Sequence, residues 1–343
     1  MNRTLPLTLL LLIFAAVLLH AAGSAILPNR SPGTPVEPDP NGQAAGDCPL
    51  DLALLEGRRA AAAPDNAASG KFGKAPENLT VLHRLLKRKI EERSFAVKLS
   101  LYDFATGGQI KIDAHERFVP ASMIKTLLLL TVLKQADRGD ISLAESHLLS
   151  ESDKYVGETA VAGAGRLQFA ANGTTHSIEE LLSLMISLSD NVATNILFDR
   201  IGAREISGTA RLLELEKTAF TRKMYDHRSS LPLNKATAFE LTRMLLALEN
   251  AEIFSKELSE KGIRMMLATE DHRIGRYLGE YTKVANKVGT DSAFIGDMAL
   301  LYFPERAPLA LTIAVVEPPN PDEAIDFVGE LAALIAEKML ELK

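Results

Sequence analysis

Strand-like runs stand at the two ends of one long segment of this chain, and helical pattern fills most of what lies between them. "FAVKLSLYDF" and "GGQIKIDAH" are strand-like runs on either side of the turn residues Ala105-Thr106-Gly107-Gly108, a β-hairpin signature. "KVANKVG", "FIGDMALLYF" and "PLALTIAVVE" follow far downstream, bounded by turn residues such as Pro304 and Pro308. In between, "SIEELLSLMISL" and "TAFELTRMLLAL" each open on a hydroxyl residue with a glutamate three positions on, Ser177 with Glu180 and Thr237 with Glu240, the pattern of a capping box. Before the first strand, "TVLHRLLKRKIEER" puts Val81, Leu82, Leu85, Leu86 and Ile90 at helical spacing, and "DEAIDFVGELAALIAEKMLEL" closes the chain as an amphipathic helix. Strands from both ends then share one sheet. The expected fold class is α+β: an antiparallel five-stranded sheet flanked by the N- and C-terminal helices, with an all-α second lobe over about 121–279. A cleft between the two lobes is where a site is expected.

The folded part so defined covers 79–343, and what precedes it has a different character. Arg3, the apolar run Leu5 to Leu19 and the small residues of "HAAGSA" give the charged, hydrophobic, small-residue order of a secretory signal peptide, 1–25, cut between Ala22 and Ala25. An uncleaved anchor is the alternative, since Leu5 to Ala22 nears the ~18 apolar residues that span a bilayer. Residues 26–78 are rich in Pro, Gly, Ala and Asn and read as a flexible tether. Cys48, the single cysteine, lies in that stretch, so no intramolecular disulfide forms. A formal charge of −6 argues against a phosphate-tracking surface, and the basic run "RLLKRKIEER" is interleaved with glutamates as on a solvated helix face. The seven histidines are scattered without ligand spacing, so neither a metal nor a cofactor is expected.

Chemistry enters at "RFVPASMIKTLLLL". Pro120 suits a first helical turn, which puts Ser122 near a helix N-terminus, where free backbone N–H groups and the helix dipole favour developing negative charge. Lys125 follows one turn on, within reach of a serine proton if burial lowers its basicity. Such a Ser-x-x-Lys occurs by chance about once in a chain of this size. Ser189-Asp190-Asn191, between two apolar helical runs, has a chance expectation of about one in twenty, although these are also favoured capping residues. Lys287-Val288-Gly289-Thr290 lies on a strand, where Gly289 lets a substrate backbone come close.

The three elements in this order resemble the signature of the serine penicillin-recognising enzymes, Ser-x-x-Lys, Ser-Asp-Asn and Lys-Thr-Gly. The resemblance is nearest to class A β-lactamases and extends over about 79–343, through "SLYDFATGGQIKIDAHERFVPASMIKTLLLL" and "GTTHSIEELLSLMISLSDNVATNILFDRIG". It implies an exported, monomeric serine hydrolase without cofactor. Its partner is a small-molecule β-lactam or a peptidoglycan stem peptide, not nucleic acid, and the membrane is met only through the signal or anchor segment. Ser122 is then the nucleophile, Lys125 its proton acceptor and Ser189 the relay to the leaving nitrogen. Asn191 holds the substrate amide and Lys125, Lys287 tunes Ser189 and attracts a carboxylate, and Gly289 and Thr290 line the substrate. The backbone N–H groups of Ser122 and Thr290 form the oxyanion hole.

The sequence departs from that pattern in three places. Val288 stands where the third triplet has a hydroxyl. The segment "MYDHRSSLPLNKATAFEL" is short and offers Ser230 where the family's Glu-x-x-Leu-Asn has the glutamate that activates the deacylating water, leaving Asp226 or His227 as alternative bases. The strand "FIGDMALLYF" lacks a carboxylate-binding arginine, a place that Arg273 or Arg276 reaches from the preceding loop unless both are surface residues. A D-alanyl-D-alanine peptidase, or a cell-wall sensor acylated without turnover, is therefore the alternative to a β-lactamase.

Overall fold

The computed structural model describes residues 77–341, so the expected signal peptide, the tether and Cys48 lie outside the described residues. Helix α1 (Glu77–Glu91) leads into the hairpin β1 (Ala96–Asp103) and β2 (Gln109–Ile112). A 3₁₀ turn (Ala121–Ile124) then runs directly into α2 (Lys125–Asp137). The helical lobe continues with α3 (Ile178–Ser187), α4 (Asn191–Ile201), α5 (Ala203–Leu212), α6 (Ala238–Glu249) and α7 (Lys256–Leu267). It also carries two short ribbons, β3 (Ser146–Leu148) with β6 (Thr175–Ser177) and β4 (Tyr155–Val156) with β5 (Thr159–Ala160), too brief to stand out from loops in the sequence. Strands β7 (Lys283–Asp291), β8 (Phe294–Phe303) and β9 (Arg306–Val316) return to the sheet, and α8 (Pro321–Glu341) covers it.

The sheet order is β2-β1-β9-β8-β7, antiparallel throughout, so β9 from the C-terminal end pairs with β1 from the N-terminal end and the insertion is closed off between them. Strand β8 is buried along its whole length because each of its faces has its own cover. Ile295, Ala299, Leu301 and Phe303 pack with Leu82 and Leu86 of α1 and Phe327 and Leu331 of α8. Phe294, Met298 and Leu300 alternate to the other face and join the core of the helical lobe. Helix α2 is buried from Lys125 to Lys134 with no polar face, which places it at the centre of that lobe. Strand β7 is left at the sheet edge, against the 3₁₀ turn.

Two local expectations change. The buried stripe of α1 runs through Leu79, Leu82 and Leu86, while Val81 and Leu85 are 43% and 40% exposed, because only the narrow line facing the sheet is covered. The helix starts are capped from one side only. Ser177 Oγ accepts from Glu180 N (3.0 Å) and Thr237 Oγ1 from Glu240 N (3.1 Å), but the two glutamate carboxylates go elsewhere. Glu180 meets His176 at 2.9 Å, and buried Glu240 accepts from Lys217 N at 2.8 Å and from the Thr218 hydroxyl at 2.5 Å. The neighbouring His176 in the first case, and a tertiary partner in the second, outcompetes the local backbone donor.

Candidate active site

Ser122 sits in the 3₁₀ turn, half-buried, one residue after Ala121, whose φ of +47° is left-handed. Ser189 has φ +56° in the turn between α3 and α4. Left-handed backbone at non-glycine residues costs roughly 1–3 kcal/mol each and persists where packing over-determines it. Here the determinant is visible. Asp190 caps α4 by accepting from Ala193 N (2.9 Å), and its second oxygen accepts from Arg166 N (2.7 Å) and Leu167 N (2.9 Å), tying the turn to the loop beside it.

Lys125 joins the first motif to the second. It is fully buried, and its Nζ lies 2.7 Å from Ser189 O, 2.7 Å from Asn191 Oδ1 and 3.2 Å from Ser189 Oγ. Burial pushes its pKa well below the ordinary lysine value, the charge of Lys287 pushes it further down, and Asp190 opposes both. The Ser122 hydroxyl is not among the partners of Lys125 in this geometry. Lys287 is also fully buried, donates to Val288 O (3.0 Å), and is pushed down to about 7, first by burial, with Asp297 opposing and Arg273 adding to the shift.

Strand β7 is held against the Ser122 turn by Gly289. A Cβ there would lie 2.6 Å from Pro120 O and 3.0 Å from Met123 Cγ, so the glycine admits the chain's own Ser122 turn rather than a ligand backbone. This corrects the reason read from sequence, not the position.

The loop before β7 supplies an arginine. Arg273 is 4% exposed, which excludes a surface role, whereas Arg276 lies at the surface with Asp326 at 2.8 Å. Arg273 donates from Nη1 to Gly289 O (2.7 Å) and Gly296 O (3.1 Å), and from Nη2 to the Thr290 hydroxyl (2.5 Å) and Asp271 (3.2 Å). Its Nε is buried without a partner. Asp297 fixes this loop. On β8 it stands opposite Val288 of β7, accepts from Ile274 N (3.0 Å), Arg273 N (3.2 Å) and Asn286 Nδ2 (3.1 Å), and burial pushes it up to about 6.

The segment expected to offer a deacylating base is arranged differently. Ser230 is exposed. Asn234, four residues on, is used structurally, accepting from Thr221 N (2.9 Å) and Arg222 N (3.1 Å). Asp226 accepts from Ser229 N (3.1 Å) within the loop, and exposed His227 packs edge-on to Tyr225. The loop meets the site elsewhere, at Met224 and Tyr225. Asn195, one turn after Asn191 on α4, grips the Met224 backbone with both amide atoms, donating to its O (3.0 Å) and accepting from its N (2.8 Å). Sequence reading gave Asn195 and Asp297 no place at the site. The i, i+4 asparagine pair in "DNVATN" is the signal that points to the first; only the strand register exposes the second.

With this geometry in view, the comparisons decide the family. The model of the β-lactamase enzyme family matches residues 82–339. The chain belongs to that family. A β-lactamase of Streptomyces fradiae is 29% identical over 84% of this chain and 94% of its own length. Among solved structures, a β-lactamase from Sphaerobacter thermophilus superposes with a TM-score of 0.69, 24% identity, and coverage of 75% of this chain and 96% of its own. A leucine-to-glutamate mutant of PBP-A, solved as an acyl-enzyme with penicillin G, superposes with a TM-score of 0.70 at 22% identity over 77% of this chain and 97% of its own. The structural similarities carry the fold, and the family match with its sequence relatives carries a serine β-lactamase-like hydrolase activity.

Proposed function

We propose that this hydrolase is acylated at Ser122 by β-lactams and releases the product slowly. Lys125 carries the first half of that reading, as a fully buried lysine against Ser189 and Asn191 whose pKa burial pushes well below the ordinary lysine value, which favours a role as proton acceptor. A neutral amine has two N–H donors, which suit Ser189 O and Asn191 Oδ1 at 2.7 Å, and one lone pair. As Ser122 Oγ bonds to the lactam carbonyl, its proton passes to Lys125, and the oxyanion is held by the N–H groups of Ser122 and Thr290, worth about 2.7–4 kcal/mol per donor. When the ring C–N bond breaks, the nitrogen takes the Ser189 proton, which Lys125 replaces across 3.2 Å. Lys287, Arg273 and the Thr290 hydroxyl receive the substrate carboxylate; Arg273 occupies the Thr290 oxygen and leaves its hydrogen to donate.

The second half rests on the loop. The residues it brings to the site, Met224 and Tyr225, hold no carboxylate to activate water, and this favours penicillin-binding behaviour, with a stem peptide as the alternative acyl donor. The apolar N-terminal run supports export of this hydrolase, with residues 26–78 read as its tether. Incubating wild type and Ser122→Ala with a fluorescent penicillin and a chromogenic cephalosporin tests the reading. Ser122-dependent labelling that outlasts many formation times supports it; rapid cephalosporin turnover without labelling favours an efficient β-lactamase; no labelling of folded protein overturns it.

A further inference from the structure

Tyr225 has no role in the chemistry above, yet its placement is tightly specified. Its φ is +65°, and the preceding residue is held at both backbone atoms by Asn195. Its hydroxyl lies against Gly163. A Cβ on Gly163 would fall 2.5 Å from Tyr225 Oη and 3.2 Å from Asn191 Nδ2, so the phenol and the Asn191 amide border the same small space. Gly163 itself has φ +75°, and its carbonyl accepts from Gln168 Nε2 at 2.8 Å, which keeps the loop in place. Asn191 Nδ2 donates one hydrogen to Ala162 O (2.8 Å) and keeps the other. The Tyr225 hydroxyl has no partner among the described residues, and the side chain is half-buried.

A phenol hydroxyl and an amide hydrogen, both unspent and side by side next to the lysine that serves the nucleophile, form a recognition corner for a group bearing both a carbonyl and an N–H. We infer that Tyr225 is a specificity residue that, together with Asn191, hydrogen-bonds the acylamino side chain of the substrate. The inference rests on Ser122 acylation by β-lactams and adds which of them react fastest: those with an amide next to the strained carbonyl. Apolar or unsubstituted lactams leave the hydroxyl unused.

The test compares two probes, benzylpenicillin, which carries an acylamino group, and penicillanic acid, which has none. Second-order acylation constants are measured by competition with a fluorescent penicillin in wild type, Tyr225→Phe and Gly163→Ala. Loss of one neutral hydrogen bond is expected to slow benzylpenicillin about three- to tenfold in Tyr225→Phe and to leave penicillanic acid within twofold. Gly163→Ala, whose methyl would meet both the phenol and Asn191 Nδ2, should slow benzylpenicillin at least as much as Tyr225→Phe, and Tyr225→Phe alone decides the selectivity. Equal slowing of both probes, or of neither, overturns the assignment while wild-type labelling leaves Ser122 acylation intact. Wild type that neither probe acylates removes the underlying reading and this one with it.

Discussion

Two walls meet at Asn191, and they handle charge in opposite ways. The wall formed by α2, the Ser189 turn and β7 buries the charges it uses: Lys125 and Lys287 have no exposed surface and Asp297 none either. The wall formed by residues 221–235 buries none of its charges fully and leaves Arg228 in water, 73% exposed and paired to Glu158 at 82%. Burial is what makes a lysine a base near neutral pH, because taking its charge out of water costs more than leaving it neutral. A solvated ion pair on a short loop gains little and directs nothing. On the proposed reading the first wall makes the acyl-enzyme, and the second contributes shape and the Tyr225 hydroxyl.

The largest effect that breaks this contrast is loss of the buried base. Lys125→Met should lower the rate of penicillin labelling about 10²–10⁴-fold, read by stopped-flow fluorescence, and a rate within tenfold of wild type would remove Lys125 from proton transfer. Next comes the cost of the buried wall itself. Asp297 is raised in the folded state from 3.8 to about 6, so its stabilising contribution is present at low pH and is lost as pH rises through that interval. The stability advantage of wild type over Asp297→Asn should shrink between pH 4 and pH 6, by at most about 3 kcal/mol, in urea melts at fixed ionic strength. Lys287 has the opposite displacement, from 10.5 to about 7, so its burial makes stability rise with pH between about 7 and 10.5.

The arrangement of both walls was partly legible in the residues alone. The five-stranded sheet could be read because its strands differ in period from the helices around them, and because a hairpin and three strands at opposite ends of a chain have one sheet to share. Ser122, Lys125, Ser189 and Lys287 stood out as motifs. What stayed hidden depends on register and on loop path. Asp297 reads as a polar break in an apolar strand until pairing with Val288 sets it beneath the Arg273 loop. Tyr225 reads as a turn residue, since nothing local tells that residues 221–235 touch the site five positions before Ser230.

Two smaller effects sharpen the comparison. Asn195→Ala leaves the Met224 N–H and carbonyl without their partners and should lower stability by about 1–3 kcal/mol in a thermal melt, with benzylpenicillin acylation slowed as Tyr225 loosens. An unchanged melting temperature would mean the loop is held elsewhere. The smallest displacement is in pH rather than rate alone. Lys287→Met removes the charge that, after burial, holds Lys125 down, so the ascending limb of the acylation profile should move to higher pH. A limb that stays in place while the rate falls would assign Lys287 to substrate binding only.

Intact-protein mass spectrometry with benzylpenicillin tests the central claim most directly, following the adduct over time and locating it by peptide mapping. One penicilloyl group on Ser122, formed quickly and lost far more slowly than it forms, is the predicted result. Steady hydrolysis of penicillin with no adduct accumulating would contradict it, because the loop would then be activating water that Met224 and Tyr225 give it no means to activate.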